Sequence, residues 1–356
     1  MSLKRILGAS RPLGGPLAII VLVVGASAAA FAYTAGWFSP ARLTPERIVD
    51  ALSRRGGAPI GHRRNHSKGI CFTGTFVAGG EGAHWSTAPM LAQGSYPVIG
   101  RFAIAVGNPL APDAAGRVRS MAIRIVAGGQ EWRSGMNNSP VFVVATPQAF
   151  YEQALASDID PAAGKPDPTA LKRFRAAHPE TAGFFRWAAN APWTTSYADQ
   201  RYNSLNAFRF IDASGVAHPA RWSMIPQTAA QTITPEQRKA LGPNFLAADL
   251  KRRLAKGPLR WRMVATLAQP GDPTNDATRA WPADRPVVTL GTLVVKRAED
   301  EASGPCRDYN YDPLILPSGI SGSDDPLLAA RSATYAVSFD RRMAEARQYP
   351  RDGRSQ

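Results

Sequence analysis

Short segments rich in β-branched residues recur through the middle of this 356-residue chain, and they limit its possible folds more than any other feature. Clusters of Gly, Asn, Asp and Pro separate them, and several alternate partly between apolar and polar residues. Strands first and helices mostly later are typical of an α+β domain, so we expect antiparallel strands that close into a barrel. The predicted strands are Val98–Val106, Val118–Val126, Pro140–Thr146, Asn206–Ile211, Leu259–Leu267 and Val287–Val295; the predicted helices are Pro147–Ser157, 168–189, Pro235–Ala255 and 326–347.

An uncharged apolar run at residues 17–38 predicts one N-terminal transmembrane helix. As a helix it is about 33 Å long, which is enough to cross the hydrocarbon core of a bilayer. Lys4, Arg5 and Arg11 precede it, so residues 1–16 are expected on the cytoplasmic side of an inner membrane. A cleaved signal peptide is the alternative, and both interpretations export the rest of the chain to the periplasm.

The exported part is expected to contain one large domain. A connecting segment at 39–60 carries a short helix that begins at Thr44, the domain itself occupies 61–348, and 349–356 form a tail. In an oxidising compartment Cys71 and Cys306 either form a disulfide or stay as buried thiols, and the sequence leaves both open.

The net charge of +15 favours anionic partners, such as lipid headgroups or an acidic cofactor. The basic residues are scattered, without a zinc finger, an RNA-binding aromatic signature or a basic tail, so we expect no nucleic-acid partner. The sequence also has no Gly-x-Ser-x-Gly elbow, Walker A loop, His-Glu-x-x-His or Cys-x-x-Cys motif. Several common classes of enzyme site are therefore excluded.

A helix near the C-terminus brings an arginine and a tyrosine together. Asp325 can cap it, and Arg331, Tyr335 and Arg342 follow at spacings that return to one face. A nearby guanidinium favours the ionised form of a phenol, and tyrosinate is one of the ligands that hold haem iron. On spacing alone, a cation–π or surface pair is the alternative.

His66 lies in a basic loop, three residues after Arg63. General acid–base catalysis needs a group that titrates near neutral pH, and arginines nearby would keep the imidazole neutral and able to take a proton from a peroxide. Arg63 is a candidate partner for an acidic group of a cofactor. The alternatives are a structural or solvated histidine and a surface arginine.

Five segments resemble, in the same order, the motifs of haem catalases. The first contains Arg63 and His66-Ser-Lys-Gly69, similar to Arg-x-x-His-Ala-Lys-Gly. The others are Ile99-Gly-Arg-Phe102 (Val-Arg-Phe), Arg117-Val-Arg-Ser-Met-Ala-Ile-Arg124 (Arg-Asp-Val-Arg-Gly-Phe-Ala-Leu-Lys), Gly135-Met-Asn-Asn-Ser-Pro-Val-Phe142 (Gly-Asn-Asn-Thr-Pro-Ile-Phe) and Arg331-x-x-x-Tyr335. The resemblance is greatest to the small branch of catalase-related peroxidases, which lack the C-terminal helical domain of full catalases.

The resemblance implies a catalase-like antiparallel β-barrel with surrounding helices that holds haem b. Carried over by motif, Tyr335 is the iron ligand and Arg331 its hydrogen-bond partner. His66 is the acid–base on the distal side, and Asn137 orients the peroxide. The positions that flank the haem or face its propionates are Phe142, Arg63, Arg101 and Arg342.

Three positions depart from the family pattern. Ala103 stands where catalases commonly have a serine that sets the distal imidazole, Met136 could crowd the pocket, and Asn206 replaces a histidine near the haem edge. These changes favour peroxide-dependent oxidation of an unidentified organic donor over efficient dismutation of hydrogen peroxide. Two alternatives remain: a hydroperoxide isomerase or dehydratase of the same fold, and an exported haem-binding protein without activity. The oligomeric state is not indicated.

Overall fold

The computed structural model describes residues 14–35, 37, 39, 42–57, 60–160 and 164–346. The chain divides into two compact units between Thr44 and Pro45. The first unit contains helix α1 (Gly14–Thr34), whose apolar side chains are exposed. The helix is long and apolar enough to cross a membrane, a property that N-terminal signal sequences share. An apolar helix is confirmed where the transmembrane helix was predicted, with a slightly earlier start and end, whereas residues 1–13 of the lead and the whole tail lie outside the described residues.

The second unit is built from antiparallel strands and short helices. The helices are α2 (Pro45–Gly56), α3 (Pro147–Ala156), α4 (Pro168–Ala177), α5 (Ala182–Asn190), α6 (Pro235–Lys239), α7 (Phe245–Leu254) and α8 (Pro326–Glu345). The strands of the main sheet are β1 (Gly69–Ala78), β2 (Gly94–Ile104), β3 (Arg119–Ala127), β4 (Gln130–Asn137), β5 (Tyr202–Asn203), β6 (Phe208–Ile211), β7 (Ala217–Pro226), β8 (Leu259–Leu267), β9 (Val287–Asp300) and β10 (Ile320–Gly322).

Eight of these strands close into a barrel. Neighbours pair in the order β8-β9-β1-β2-β3-β4-β5-β7, and β7 pairs again with β8. Strands β6 and β10 continue the sheet beyond the first half of β7. Every pairing is antiparallel, so the predicted α+β fold with an antiparallel barrel is confirmed.

Buried aromatic side chains fill the barrel. Phe72 and Phe102 lie 4.7 Å apart between ring centroids, and Phe102 also contacts Trp261. Gly100 pairs directly with Phe72, and a Cβ there would stand 2.1 Å from the phenyl ring. Only glycine allows this ring to lie across the neighbouring strand. Because the interior is packed, a ligand site has to lie outside the barrel wall.

Some sequence predictions were wrong in detail. Pro140–Thr146 forms no strand; Val143 and Val144 instead pack in an apolar cluster against α3 and α4. The predicted helix 168–189 divides into α4 and α5 at His178-Pro179, and 235–255 divides into α6 and α7 at Gly242-Pro243. Both divisions have the same physical reason, because proline and glycine interrupt helices.

Cys71 and Cys306 form a disulfide with an S–S distance of 2.02 Å. The bond joins β1 to the loop that follows β9. Gly304 lies against it, since a Cβ there would stand 2.6 Å from Cys71 Sγ. Of the two states that the sequence left open, a disulfide or two buried thiols, the structure has the disulfide.

Candidate active site

A cavity lies between the outer face of β2–β4 and the helices α2 and α8. The strand register arranges this face in two rows. Ala103 on β2 pairs with Ser120 on β3, which pairs with Asn137 on β4. One rung along, Arg101 pairs with Ala122, and Ala122 with Gly135. Directly opposed residues of antiparallel strands share a face, so both rows look into the cavity.

The first row meets His66, which comes from the loop before β1. Ser120 Oγ lies 2.8 Å from His66 Nδ1 and 2.8 Å from Asn137 Oδ1. His66 has a left-handed backbone, with φ of 53°, which is uncommon for a residue other than glycine and is often found at functional sites. The structure therefore brings together the two residues expected to act on peroxide and joins them through one hydroxyl.

His66 is a neutral base over the physiological range. Burial is the largest cause that lowers the pKa of its imidazole, to about 3, and the charges of Arg101, Arg331 and Arg63 lower it further. Protonation would create a cation away from water and beside other cations. Arginines were expected to keep this histidine neutral, and desolvation proves to be the larger cause.

Helix α8 supplies the expected iron ligand. Arg331 Nη2 donates to the Tyr335 hydroxyl at 3.4 Å and to the Gly135 carbonyl at 3.3 Å. Its Nη1 donates to Asn206 Oδ1, and Asn206 Nδ2 in turn donates to Asp325 Oδ2 at 2.7 Å. Asp325 also caps α8 by accepting from the Leu327 amide. Asn206 thus fixes Arg331 beside the phenol and does not itself line the cavity.

Gly135 keeps the second row flat beneath this pair. A Cβ at this position would stand 3.8 Å from the Tyr335 hydroxyl and 3.4 Å from Arg331 Nη2. A larger side chain would extend into the space around the phenol. Glycine next to small Ala122 leaves room there for a flat ligand.

Three arginines collect near one largely buried carboxylate at another part of the cavity. Arg101 Nε and Nη2 donate to Glu301 at 2.8 and 2.6 Å, and Arg63 Nη1 donates to the same carboxylate. Arg342 donates to main-chain carbonyls of the disulfide-anchored loop, at Arg307 and Tyr309. The three positions expected to face haem propionates are therefore neighbours, held by Glu301 and by loop carbonyls.

The charges of this cluster leave room for an anion. Arg101 and Arg63 are the main causes that hold the pKa of Glu301 down, to about 2, against its burial. Burial and the charge of Arg63 lower the pKa of Arg342 to about 9. Three guanidiniums and one carboxylate carry a net charge of +2, which two carboxylates would neutralise. In the part of the chain that the structure describes, the buried Tyr311 hydroxyl beside this cluster has no hydrogen-bond partner.

Apolar side chains form much of the remaining cavity wall. Phe142 stacks on Phe150 of α3 with centroids 5.9 Å apart, and Ile48 and Leu52 of α2 also line the cavity. Met136 is buried in the barrel core as well as touching the cavity. A flat ligand with an apolar body and two acidic groups matches this lining. Haem has these properties, and a tyrosine oxygen such as that of Tyr335 is one of the known ligands of haem iron.

Sequence analysis missed three residues of the site: Ser120, Glu301 and Tyr311. Ser120 stands where the catalase motif Val-Arg-Gly has glycine, and this departure was the available signal. Glu301 lies in a segment without motif resemblance, and only the register of β9 and the disulfide bring it to the arginines. No local pattern could have identified Tyr311.

Comparison with known proteins agrees with this geometry. A family model described as Catalase matches residues 26–349. A catalase-related peroxidase of Synechococcus elongatus is 38% identical over 327 residues, 92% of this chain and 94% of that protein. One of Mycolicibacterium paratuberculosis is 32% identical over 300 residues, 83% and 94% of the two chains. A solved bacterial catalase has a TM-score of 0.73 at 20% identity, over 86% of this chain and 62% of that one.

The chain belongs to the catalase family. Within that family its similarity is to the catalase-related peroxidases. Membership implies a haem cofactor and an oxidoreductase that acts on peroxide. The arginine cluster, the phenol beside Arg331 and the flat floor at Gly135 fit such a cofactor.

Replacing Glu301 with Gln tests the charge balance of the arginine cluster. Breaking a buried ion pair from one side is expected to lower the unfolding free energy of the haem-free protein by about 3–5 kcal/mol. Haem binding should recover part of that loss, because its propionates supply negative charge. The gap in unfolding free energy between haem-bound and haem-free protein, measured with urea, should therefore widen.

Glu299→Gln is the matched control for this measurement. Glu299 lies on the same strand end and pairs with Arg297 at 3.7 Å, at the protein surface. Its replacement should leave the gap unchanged. A Glu301→Gln protein with the gap of the parent would show that the carboxylate does not share the arginines with a bound anion.

Proposed function

We propose that the protein is a haem b peroxidase that reduces hydrogen peroxide or organic peroxides with an organic electron donor. The observation that carries the proposal is the single cavity that collects His66, Asn137 and the Arg331–Tyr335 pair. An electron-transfer or carrier site has no need of a neutral base joined by a hydroxyl to an amide. The names of the two catalase-related peroxidases that resemble the chain support the same activity.

The residues of the cavity have separate roles in this proposal. Tyr335 would hold the iron through its phenol oxygen, and Arg331 would donate a hydrogen bond to that oxygen. Arg63, Arg101 and Arg342 would bind the propionates, with the Tyr311 hydroxyl as a further donor, and Phe142 would lie against the macrocycle. Bound haem supplies the redox centre that accepts oxidising equivalents from peroxide and passes them to the donor.

His66 would move the proton of the peroxide. Its Nε2 takes the proton from one peroxide oxygen and returns it to the other oxygen, which leaves as water. The Asn137 amide would orient the peroxide by donating to it from Nδ2. Apolar walls from Phe142, Ile48 and Leu52 would restrict water in the cavity during this transfer.

The balance between donor oxidation and dismutation follows from the departures from the family pattern. Asn206 still fixes Arg331, and a hydroxyl still reaches His66 although position 103 carries alanine. These contacts weaken two of the reasons for doubting that dismutation is efficient, but Met136 remains a departure from the family pattern. We therefore propose peroxidase activity as the main reaction, with weak catalase activity beside it.

The membrane location is part of the proposal. Helix α1 would remain as a single-pass anchor in the inner membrane, with the catalytic domain, 61–348, on the periplasmic side. Its length and the basic residues before it support an anchor. The disulfide supports an oxidising compartment for the domain.

Three assays of the purified haem-loaded protein separate the candidate activities. Hydrogen peroxide with a chromogenic donor should give donor oxidation, and an oxygen electrode should detect weak dismutation. A fatty-acid hydroperoxide supplied without a donor tests the alternative activity, which is isomerisation or dehydration of the hydroperoxide. Rapid conversion of that hydroperoxide without donor oxidation would contradict the proposed peroxidase and indicate a hydroperoxide isomerase or dehydratase. A Soret band without any turnover would indicate a haem-binding protein.

The pH dependence of peroxide turnover should follow the imidazole of His66. Because the pKa of this group is lowered to about 3, the base form persists from neutral pH through mildly acidic solution. Turnover should stay nearly constant down to about pH 4.5 and fall as pH approaches 3. Glu301 keeps its charge over that range, so the Soret band, recorded in parallel, should persist. A fall centred near pH 6.5 would contradict the buried, neutral His66.

A further inference from the structure

A hydroxyl reaches His66 from an unexpected strand. The catalase resemblance placed a serine that sets the imidazole at position 103, where this chain has alanine. Ser120 is the direct partner of Ala103 across β2 and β3, and it stands where the family motif has glycine. The two side chains leave the same face of the sheet, so a hydroxyl lost at one position can be supplied from the other.

We propose that Ser120 is the positioning residue of the acid–base site: it sets the tautomer of His66 and aligns Asn137 with it. The inference rests on the proposed function and adds to it a positioning hydroxyl on β3, in place of the family's serine on β2. The serine–alanine exchange across one strand pair moves the hydroxyl next to Asn137, which is the partner of Ser120 on β4. One hydroxyl therefore serves both the base and the amide.

The direction of the two hydrogen bonds determines the tautomer. Asn137 Oδ1 only accepts, so the single hydroxyl proton of Ser120 is donated to it over 2.8 Å. Ser120 Oγ must then accept from His66, whose Nδ1 lies 2.8 Å away and carries the proton. The other ring nitrogen, Nε2, is left unprotonated and can accept the proton of a peroxide. The same bonds leave Asn137 Nδ2 free to donate to the substrate.

Ser120 also restricts where the imidazole points. Among the described residues it provides the only side-chain hydrogen bond to the ring of His66. The other contact of the residue, from its main-chain amide to Asn65 Oδ1 at 3.0 Å, holds the backbone and leaves the ring free to rotate. Without the hydroxyl, the ring of His66 would lose the hydrogen bond that fixes both its orientation and its tautomer.

A set of four proteins tests the role: the parent, Ser120→Ala, Ser120→Thr and the double variant Ala103→Ser with Ser120→Ala. All four should bind haem equally, as judged by the Soret band per protein. Stopped-flow measurement of the first peroxide-dependent spectral change should give a rate constant about tenfold lower for Ser120→Ala, which corresponds to one net hydrogen bond. Ser120→Thr and the double variant should recover most of it, because each restores a hydroxyl beside His66.

The tautomer itself can be observed without turnover. The full chain, labelled with ¹⁵N-histidine and loaded with diamagnetic zinc protoporphyrin, should show His66 protonated at Nδ1. His66→Ala assigns the signals. In Ser120→Ala this preference should be lost, and Ser120→Thr should restore it. A purely structural role for Ser120 would leave the ¹⁵N pattern unchanged.

The outcomes distinguish this inference from the proposed function. If the parent protein shows no peroxide-dependent spectral change, the proposed function fails. If the parent reacts and Ser120→Ala reacts at the same rate with the same tautomer, Ser120 has no positioning role. A slower Ser120→Ala that neither Ser120→Thr nor the double variant improves, with an unchanged tautomer, would also overturn the inference.

Discussion

Replacing Tyr335 with Phe is expected to give a folded protein that retains little haem. The substitution removes one oxygen and preserves the ring, so packing of α8 should change little. It removes the phenol oxygen of Tyr335, which lines the cavity and is the proposed iron ligand. Without this oxygen the proposed bond to iron cannot form, and Arg331 is left without its phenol partner. We expect haem content to fall from about one per chain to a small fraction, measured by the pyridine haemochrome absorbance per protein.

Tyr151→Phe is a close control for this experiment. Arg47 Nη2 donates to the Tyr151 hydroxyl at 3.4 Å, the same distance as in the Arg331–Tyr335 pair. The two guanidiniums also lie at similar distances from the rings, 5.2 and 5.7 Å. Tyr151 lies on α3 and does not line the cavity, so its replacement should leave haem content unchanged. Stoichiometric haem and normal turnover in Tyr335→Phe would exclude the phenol as the iron ligand.

Replacing His66 with Ala is expected to separate haem binding from peroxide chemistry. The imidazole bonds Ser120 and is not part of the arginine cluster, so haem should remain. The rate constant of the reaction with peroxide should fall by about 10²–10⁴, the usual contribution of a general acid–base group. Stopped-flow spectra at increasing peroxide concentrations give this constant directly.

His84→Ala provides the control for His66→Ala. His84 is exposed in a short turn before β2, outside the cavity, and its loss should leave the rate unchanged. Added imidazole should partly restore the rate of His66→Ala by entering the space left by the side chain. Turnover equal to the parent in His66→Ala would remove this residue from the reaction.

Half of the barrel, strands β2, β3, β8 and β9, could be predicted because these segments contain their own signal, whereas β1, β4, β5 and β7 were not predicted. Val287–Val295 is rich in β-branched residues, and the first half of Leu259–Leu267 alternates between buried and exposed residues as the barrel wall requires. Strand Gln130–Asn137 was missed because it is polar and contains glycine. Two of the residues that obscure its strand pattern, Gly135 and Asn137, line the cavity. Val143 and Val144 misled the prediction, since two valines in an apolar cluster resemble a strand.

The site was predictable where a local motif carries it and not where the fold assembles it. Arg331 and Tyr335 lie on one helix turn, so spacing was sufficient to place them together. Ser120 required the register of β2 against β3, which the sequence does not specify. Glu301 required the path of the loop after β9, which the disulfide determines. Long-range pairing of this kind leaves no periodic trace in the sequence.

The disulfide between Cys71 and Cys306 makes cofactor loading depend on oxidation of the chain. The segment it anchors contributes Glu301 and the carbonyls that hold Arg63 and Arg342. In a chain whose two cysteines are reduced, as in the cytosol, this segment is not yet fixed beside the arginines. In the proposed periplasmic location, oxidation of the two cysteines would fix this segment, so haem loading would follow export, and recombinant production in a thiol-rich host would yield mostly colourless protein.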